Sequence, residues 1–305
     1  MIPGMRLRTS SPSRTARSVA TALALATLLL PAAAAASEAV PPVVSGGWLE
    51  PRLASEELVV LDARPLRDFL ASHLPGARSV AVENLRGTSG GVPATTLPPA
   101  ILGEVFARAG VTPRSHVVVY GAESDVDATY VATAARLAGA TRVSVLDGGL
   151  AAWNRDLRPV RAERLRFPVP KAGLRGDAGL MLPLEEALKR VGDGKTVFLD
   201  VRPEEQWAKG RIPGARNRFW KADVADGVFR PVERLRAEYE AAGVSWEKPV
   251  VVYCNSGHQA SEGFYVLKYV LGHPDVKLYQ GSWLEWSMTP GTPRESSAPA
   301  EPAPK

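Results

Sequence analysis

One cysteine, Cys254, closes the apolar run Pro249–Tyr253 and opens the loop Asn255-Ser256-Gly257-His258-Gln259. Val250–Tyr253 reads as a buried strand, and from Ala260 to Leu271 apolar residues recur at helical spacing. The sulfur therefore sits where a strand hands over to a helix, and backbone N–H groups of the loop and the positive helix end face it. A thiol in that position is expected to lose its proton readily and act as a nucleophile. A lone cysteine makes no internal disulfide; the plainer alternative is a buried thiol that packs as a small hydrophobe. With four histidines and one cysteine, no cluster has metal-ligand spacing, and neither metal nor cofactor is expected.

The elements that must position this loop occur twice. Leu58-Val-Val-Leu-Asp-Ala-Arg-Pro65 is echoed by Thr196-Val-Phe-Leu-Asp-Val-Arg-Pro203, and Leu74-Pro-Gly-Ala-Arg78 by Ile212-Pro-Gly-Ala-Arg216. Val118-Val-Val-Tyr-Gly121 matches Val250-Val-Val-Tyr-Cys254, and Asp147-Gly-Gly-Leu-Ala-Ala-Trp153 matches Gln280-Gly-Ser-Trp-Leu-Glu-Trp286. The same blocks in the same order indicate an internal duplication. Strands near Val59–Asp62, Val117–Tyr120 and Val143–Leu146 alternate with helices near Leu66–Ser72, Ile101–Ala109, Ala128–Leu137 and Leu150–Trp153. Such alternation predicts an α/β fold, each half a parallel sheet flanked by helices, with ligands beyond the carboxyl ends of the strands. The halves are assigned to 43–157 and 180–288, joined by a linker at 158–179. Residues 289–305, rich in Pro and Ser, read as a disordered tail.

Arg6, Arg8, Arg14 and Arg17, the apolar run Val19–Leu30 and the alanines after Pro31 have the pattern of a secretory signal peptide spanning 1–36. An uncleaved anchor is the alternative, since the run extended to Ala36 is just long enough to span a bilayer. Cleavage predicts an exported protein, periplasmic or secreted, with no stable membrane association. The four leader arginines account for four of the five net positive charges, leaving +1 and no dense basic run, so nucleic-acid binding is not expected. An unpaired thiol kept in an oxidising compartment argues for chemistry.

Asp200-Val-Arg-Pro203, Arg211-Ile-Pro-Gly-Ala215, Tyr253-Cys-Asn-Ser-Gly-His258 and Gly281-Ser-Trp283, in this order and duplicated, resemble the rhodanese-like sulfurtransferases in their tandem form. The resemblance implies two tandem rhodanese-like domains, the first inactive because Gly121 stands where the second has Cys254. It implies that Cys254 carries a persulfide and that Asn255, Ser256, Gly257, His258 and Gln259 cradle the transferred sulfur. The implied partners are a small-molecule donor, thiosulfate or 3-mercaptopyruvate, and a thiol or cyanide acceptor. A persulfide carrier with little turnover of its own is the alternative. The loop lacks the basic side chains of thiosulfate-preferring members and is closer to the neutral loop of the mercaptopyruvate branch. A second arginine of both branches falls at Gln206. His258 either orients a donor or is simply solvated. Asp200 and Arg202 are expected to brace the loop as an ion pair. Asp62 and His73 match first-half positions near the cleft in mercaptopyruvate-type relatives, though an Asp at a strand end and a His at a helix end have structural roles too. Trp153, Trp283 and Trp286 read as core or cleft wall. Cysteine phosphatases of related fold need an Arg at the sixth residue after the Cys; Ala260 stands there.

Overall fold

The computed structural model describes residues 40–163, 167–168 and 173–297; the expected leader at 1–36 and the end of the expected tail at 298–305 lie outside them. The first half carries strands β1 (Val43–Val44), β2 (Leu58–Asp62), β3 (Arg78–Ser79), β4 (Arg86–Ser89), β5 (Val92–Thr96), β6 (His116–Tyr120) and β7 (Arg142–Leu146). Its helices are α1 (Gly46–Leu49), α2 (Leu66–Ala71), α3 (Pro99–Arg108), α4 (Val126–Leu137) and α5 (Gly149–Arg155). The second half carries β8 (Val197–Asp200), β9 (Arg216–Asn217), β10 (Val224–Ala225), β11 (Val228–Phe229), β12 (Val250–Tyr253) and β13 (Val276–Leu278). With them come α6 (Leu184–Arg190), α7 (Glu204–Lys209), α8 (Val232–Ala241), α9 (Ala260–Tyr265) and α10 (Ser282–Met288).

Both main sheets are parallel throughout, in the orders β1-β7-β6-β2-β3 and β13-β12-β8-β9. Helices cover both faces, which is why β6 and β12 read as unbroken valine runs instead of alternating patterns. Each valine buried there contributes roughly 1.5–3 kcal/mol. The helix that follows Cys254 ends earlier than its apolar spacing suggests. It gives way to a π-turn at Val266–Val270.

In each half an Asp at a strand end braces the turn that follows. Asp200 accepts the Arg202 backbone N–H at 2.9 Å and the guanidinium Nη2 at 2.6 Å, and that Nη2 also donates to the Gly210 carbonyl. Asp62 and Arg64 repeat the arrangement, with Ser72 supplying the carbonyl.

Two parts of the chain depart from the sequence expectation. Residues 289–297 are docked, not disordered: Arg211 and Glu295 exchange backbone hydrogen bonds, Glu295 pairs with the Arg211 guanidinium, and Trp286 Nε1 donates to the Pro293 carbonyl. The start of the expected linker behaves likewise, with His73 and Arg161 exchanging backbone bonds and Trp153 Nε1 donating to the Pro159 carbonyl. These segments belong to the repeat. Their polar composition hid this, because they are held by backbone bonds and buried indole N–H groups and not by apolar side chains.

A further departure is a pair of hairpins, β4–β5 and β10–β11. Gly90-Gly91 and Asp226-Gly227 turn them with positive φ at both positions, +57° and +81° in one and +52° and +77° in the other. Each reaches across to the opposite half. Arg86 of β4 meets Ser256, while Gly227 and Phe229 meet Ser124 and Asp147.

Candidate active site

Cys254 stands at the carboxyl end of β12 with only 1% of its surface exposed. The backbone N–H groups of Ala260, Ser256 and Gly257 converge on Sγ. Its own N–H donates to Ser282 Oγ at 3.1 Å, and that hydroxyl donates to the Tyr279 carbonyl. Ser282 adopts φ +54°, a conformation costly for any side-chain-bearing residue. Its first-half counterpart is Gly149, also at positive φ. The hydroxyl that anchors the Cys254 backbone is what the second half gains from this strain.

The thiol does not titrate as the loop position alone suggests. Burial raises its pKa; the amides of Ala260, Ser256 and Gly257 counter only in part, and the Asp200 carboxylate adds to the rise. Desolvation of a fully enclosed sulfur outweighs three N–H dipoles. The amides nevertheless form an anion hole, and the first half demonstrates what such a loop holds. There the Asp125 carboxylate accepts N–H groups from Ala122 at 3.0 Å, Glu123 at 3.3 Å and Ala128 at 3.1 Å. A Cβ at Gly121 would collide with that carboxylate. The first-half cradle is thus filled by its own anion, beyond merely lacking a nucleophile.

The loop residues divide by exposure. Asn255 faces solvent, Ser256 and Gln259 are half-buried, and Gly257 is buried at φ +79° with its Cα against the Gln280 carboxamide. His258 is turned to the first half: Nε2 lies 2.8 Å from Asp127 Oδ1, at ion-pair distance but off the line of a hydrogen bond, and the ring meets Tyr130 edge-on at 5.2 Å. Arg202 is committed to Asp200, with its guanidinium 5.0 Å from the Trp283 ring centre. Gln206 is exposed on α7.

Asp62 and His73 are built into the brace of their own half. Asp62 accepts from Arg64 and Tyr120, while His73 Nδ1 bonds the Phe69 carbonyl at 2.8 Å and the ring stacks on Phe69 at 4.0 Å. Among the described residues no hydrogen bond links either side chain to the Cys254 loop.

The residue that reading the sequence missed is Arg86. Its Nη2 donates to the Ser256 carbonyl and Oγ, both at 2.9 Å, and to the Ala94 carbonyl at 2.6 Å. Nη1 has no hydrogen-bond partner among the described residues. A cation absent from the loop is therefore supplied by the other half, through a hairpin whose Gly90-Gly91 turn was the available signal. Tyr130 and Thr96, bonded hydroxyl to hydroxyl at 2.6 Å, join it on that side.

The rhodanese-like domain family matches this chain at residues 45–156 and again at 183–289. The chain is 34% identical to a putative thiosulfate sulfurtransferase of Synechococcus elongatus, over 88% of its own length and 89% of that protein. It is 29% identical to the sulfur carrier protein TtuD of Thermus thermophilus, over 82% of its length and 95% of the relative. The crystal structure of SseA from Escherichia coli, a study of the rhodanese fold and 3-mercaptopyruvate sulfotransferases, superposes with a TM-score of 0.72 at 25% identity, covering 80% of this chain and 99% of that one. The chain belongs to the rhodanese family as a tandem-domain sulfurtransferase.

Proposed function

We propose that this protein moves a sulfane sulfur from a small anionic donor to a thiophilic acceptor through a Cys254 persulfide, in the compartment to which its leader exports it. The observation that carries the reading is the convergence of the Ala260, Ser256 and Gly257 amides on the one cysteine. With thiosulfate, the Cys254 thiolate attacks the outer sulfur, the S–S bond of the donor breaks, and its electron pair leaves on sulfite. The negative charge then rests on the terminal sulfur of the persulfide, inside the amide cradle. Arg86 supports binding of the donor anion, its unpaired Nη1 being free to meet an oxygen. One guanidinium beside a neutral loop suits a monoanion such as 3-mercaptopyruvate at least as well as a dianion.

No helix among the described residues is long and apolar enough to cross a membrane. Among those residues, too, no group of three or more His, Cys, Asp or Glu could hold a metal ion. The net charge of +1 left after removal of the leader favours small-molecule partners over nucleic acid.

A carrier role is the second reading. The enclosure of Cys254 protects a persulfide once formed, and a relative named as a sulfur carrier supports it. Intact-mass spectrometry of the mature protein after exposure to thiosulfate or 3-mercaptopyruvate should reveal a one-sulfur adduct that Cys254→Ala lacks. Thiocyanate formation by Cys254→Ala would sink the reading. A stable adduct with negligible turnover would favour the carrier.

A further inference from the structure

The two halves treat equivalent positions beside their loops differently. Asp147 of the first half accepts from Ser124 Oγ and from the Phe229 N–H of hairpin β10–β11, both at 2.9 Å. That flank of the first-half loop is sealed. Gln280 is the second-half counterpart of Asp147, and although it is only 9% exposed, neither its Oε1 nor its Nε2 has a hydrogen-bond partner. Instead of a sealing hairpin, a cleft of about 440 Å³ lies between Gln280 and hairpin β4–β5.

Two residues that line the cleft lead to the sulfur cradle. Gln280 abuts Gly257, and the Thr96 wall is bonded to Tyr130, whose ring touches His258. Ser89, Thr95 and Thr96 offer hydroxyls, Met181 offers an apolar wall, and the one charged side chain lining the space is Glu285. A buried carboxamide left unpaired costs free energy that a bound polar group would recover. A lining with a carboxylate and no cation disfavours a second anion and favours an ammonium group.

We propose that this cleft is the acceptor site and that it takes a small thiol carrying an ammonium group, held by Glu285 and Gln280. The inference rests on the sulfurtransfer reading above. The acceptor thiol gives its proton to the terminal sulfur of the anionic Cys254 persulfide, and the resulting thiolate attacks that sulfur. The new S–S bond forms on the acceptor, the Cys254–sulfur bond breaks, and its electron pair returns to Sγ as thiolate. The proton stays on the transferred sulfur, so no oxidant or reductant is needed.

The test loads Cys254 with thiosulfate and follows transfer to cysteamine and to N-acetylcysteamine, with rates compared per thiolate. Cysteamine is expected to be favoured about tenfold, the worth of one charge-assisted hydrogen bond, and Glu285→Gln to erase that preference. Gln280→Leu is expected to raise KM for both thiols about tenfold with a smaller effect on kcat. Equal rates for the two thiols on the unaltered protein, or a preference that survives Glu285→Gln, would overturn the proposal. An unaltered protein that never gains a sulfur would instead overturn the sulfurtransfer reading, and this one with it.

Discussion

Glu262 offers a quantitative check on how the two halves are joined. It lies on α9, fully buried where that helix packs on α4, and Oε2 accepts the Thr129 hydroxyl at 2.8 Å while Oε1 has no partner. Burial, and after it the neighbouring Asp223 carboxylate, hold its pKa well above the ordinary 4.5. The folded protein therefore keeps this proton at pH values where the unfolded chain releases it. With the folded pKa raised, the stability contribution is complete below the unfolded pKa and is lost as pH rises toward the folded one. Between the two values the loss runs at about 1.4 kcal/mol per pH unit, one proton's worth. Glu262→Gln is nearly isosteric, keeps an acceptor for Thr129 and cannot titrate. Urea denaturation of the full chain at a series of pH values upward from the unfolded carboxyl value should show the variant gaining on the unaltered protein as pH rises, at up to about 1.4 kcal/mol per pH unit. Parallel profiles would mean that Glu262 is charged in the folded state, and the reasoning would fail.

Two further outcomes follow from the site. Because burial raises the Cys254 pKa, the rate of sulfur loading should climb with pH to a midpoint above that of an ordinary cysteine thiol, measured by quenched-flow mass spectrometry. The same shift makes the neutral thiol's contribution to stability complete below the unfolded pKa and lost as pH rises through the folded one; a loading midpoint below the ordinary thiol value would contradict both. Arg86→Gln should slow loading by anionic donors about tenfold or more through the loss of charge-assisted bonds, and Arg86→Lys should restore part of it, since a point charge replaces the fork; equal loading by all three proteins would remove Arg86 from donor binding.

The reactive sulfur and the frame around it were written locally. Cys254 at the end of a valine strand, Gly257 in the turn, and the Asp-x-Arg pairs at two strand ends depend on strand periodicity and on residues two positions apart, which any short window contains. The duplication likewise revealed that the first half lacks a nucleophile. What a linear reading could not supply were contacts between distant segments. Arg86 and Ser256 come together only because two like halves pack so that each hairpin covers the other's loop. The thiol pKa depends on how much water that packing removes, and so the local expectation of an acidified cysteine was reversed by enclosure. Asp125 in the first-half cradle and the unpaired Gln280 in the second show the same division. Sequence determined which groups each loop carries, and only the tertiary structure decided which amides, cations and empty space they face, because burial and electrostatics belong to neighbours in space.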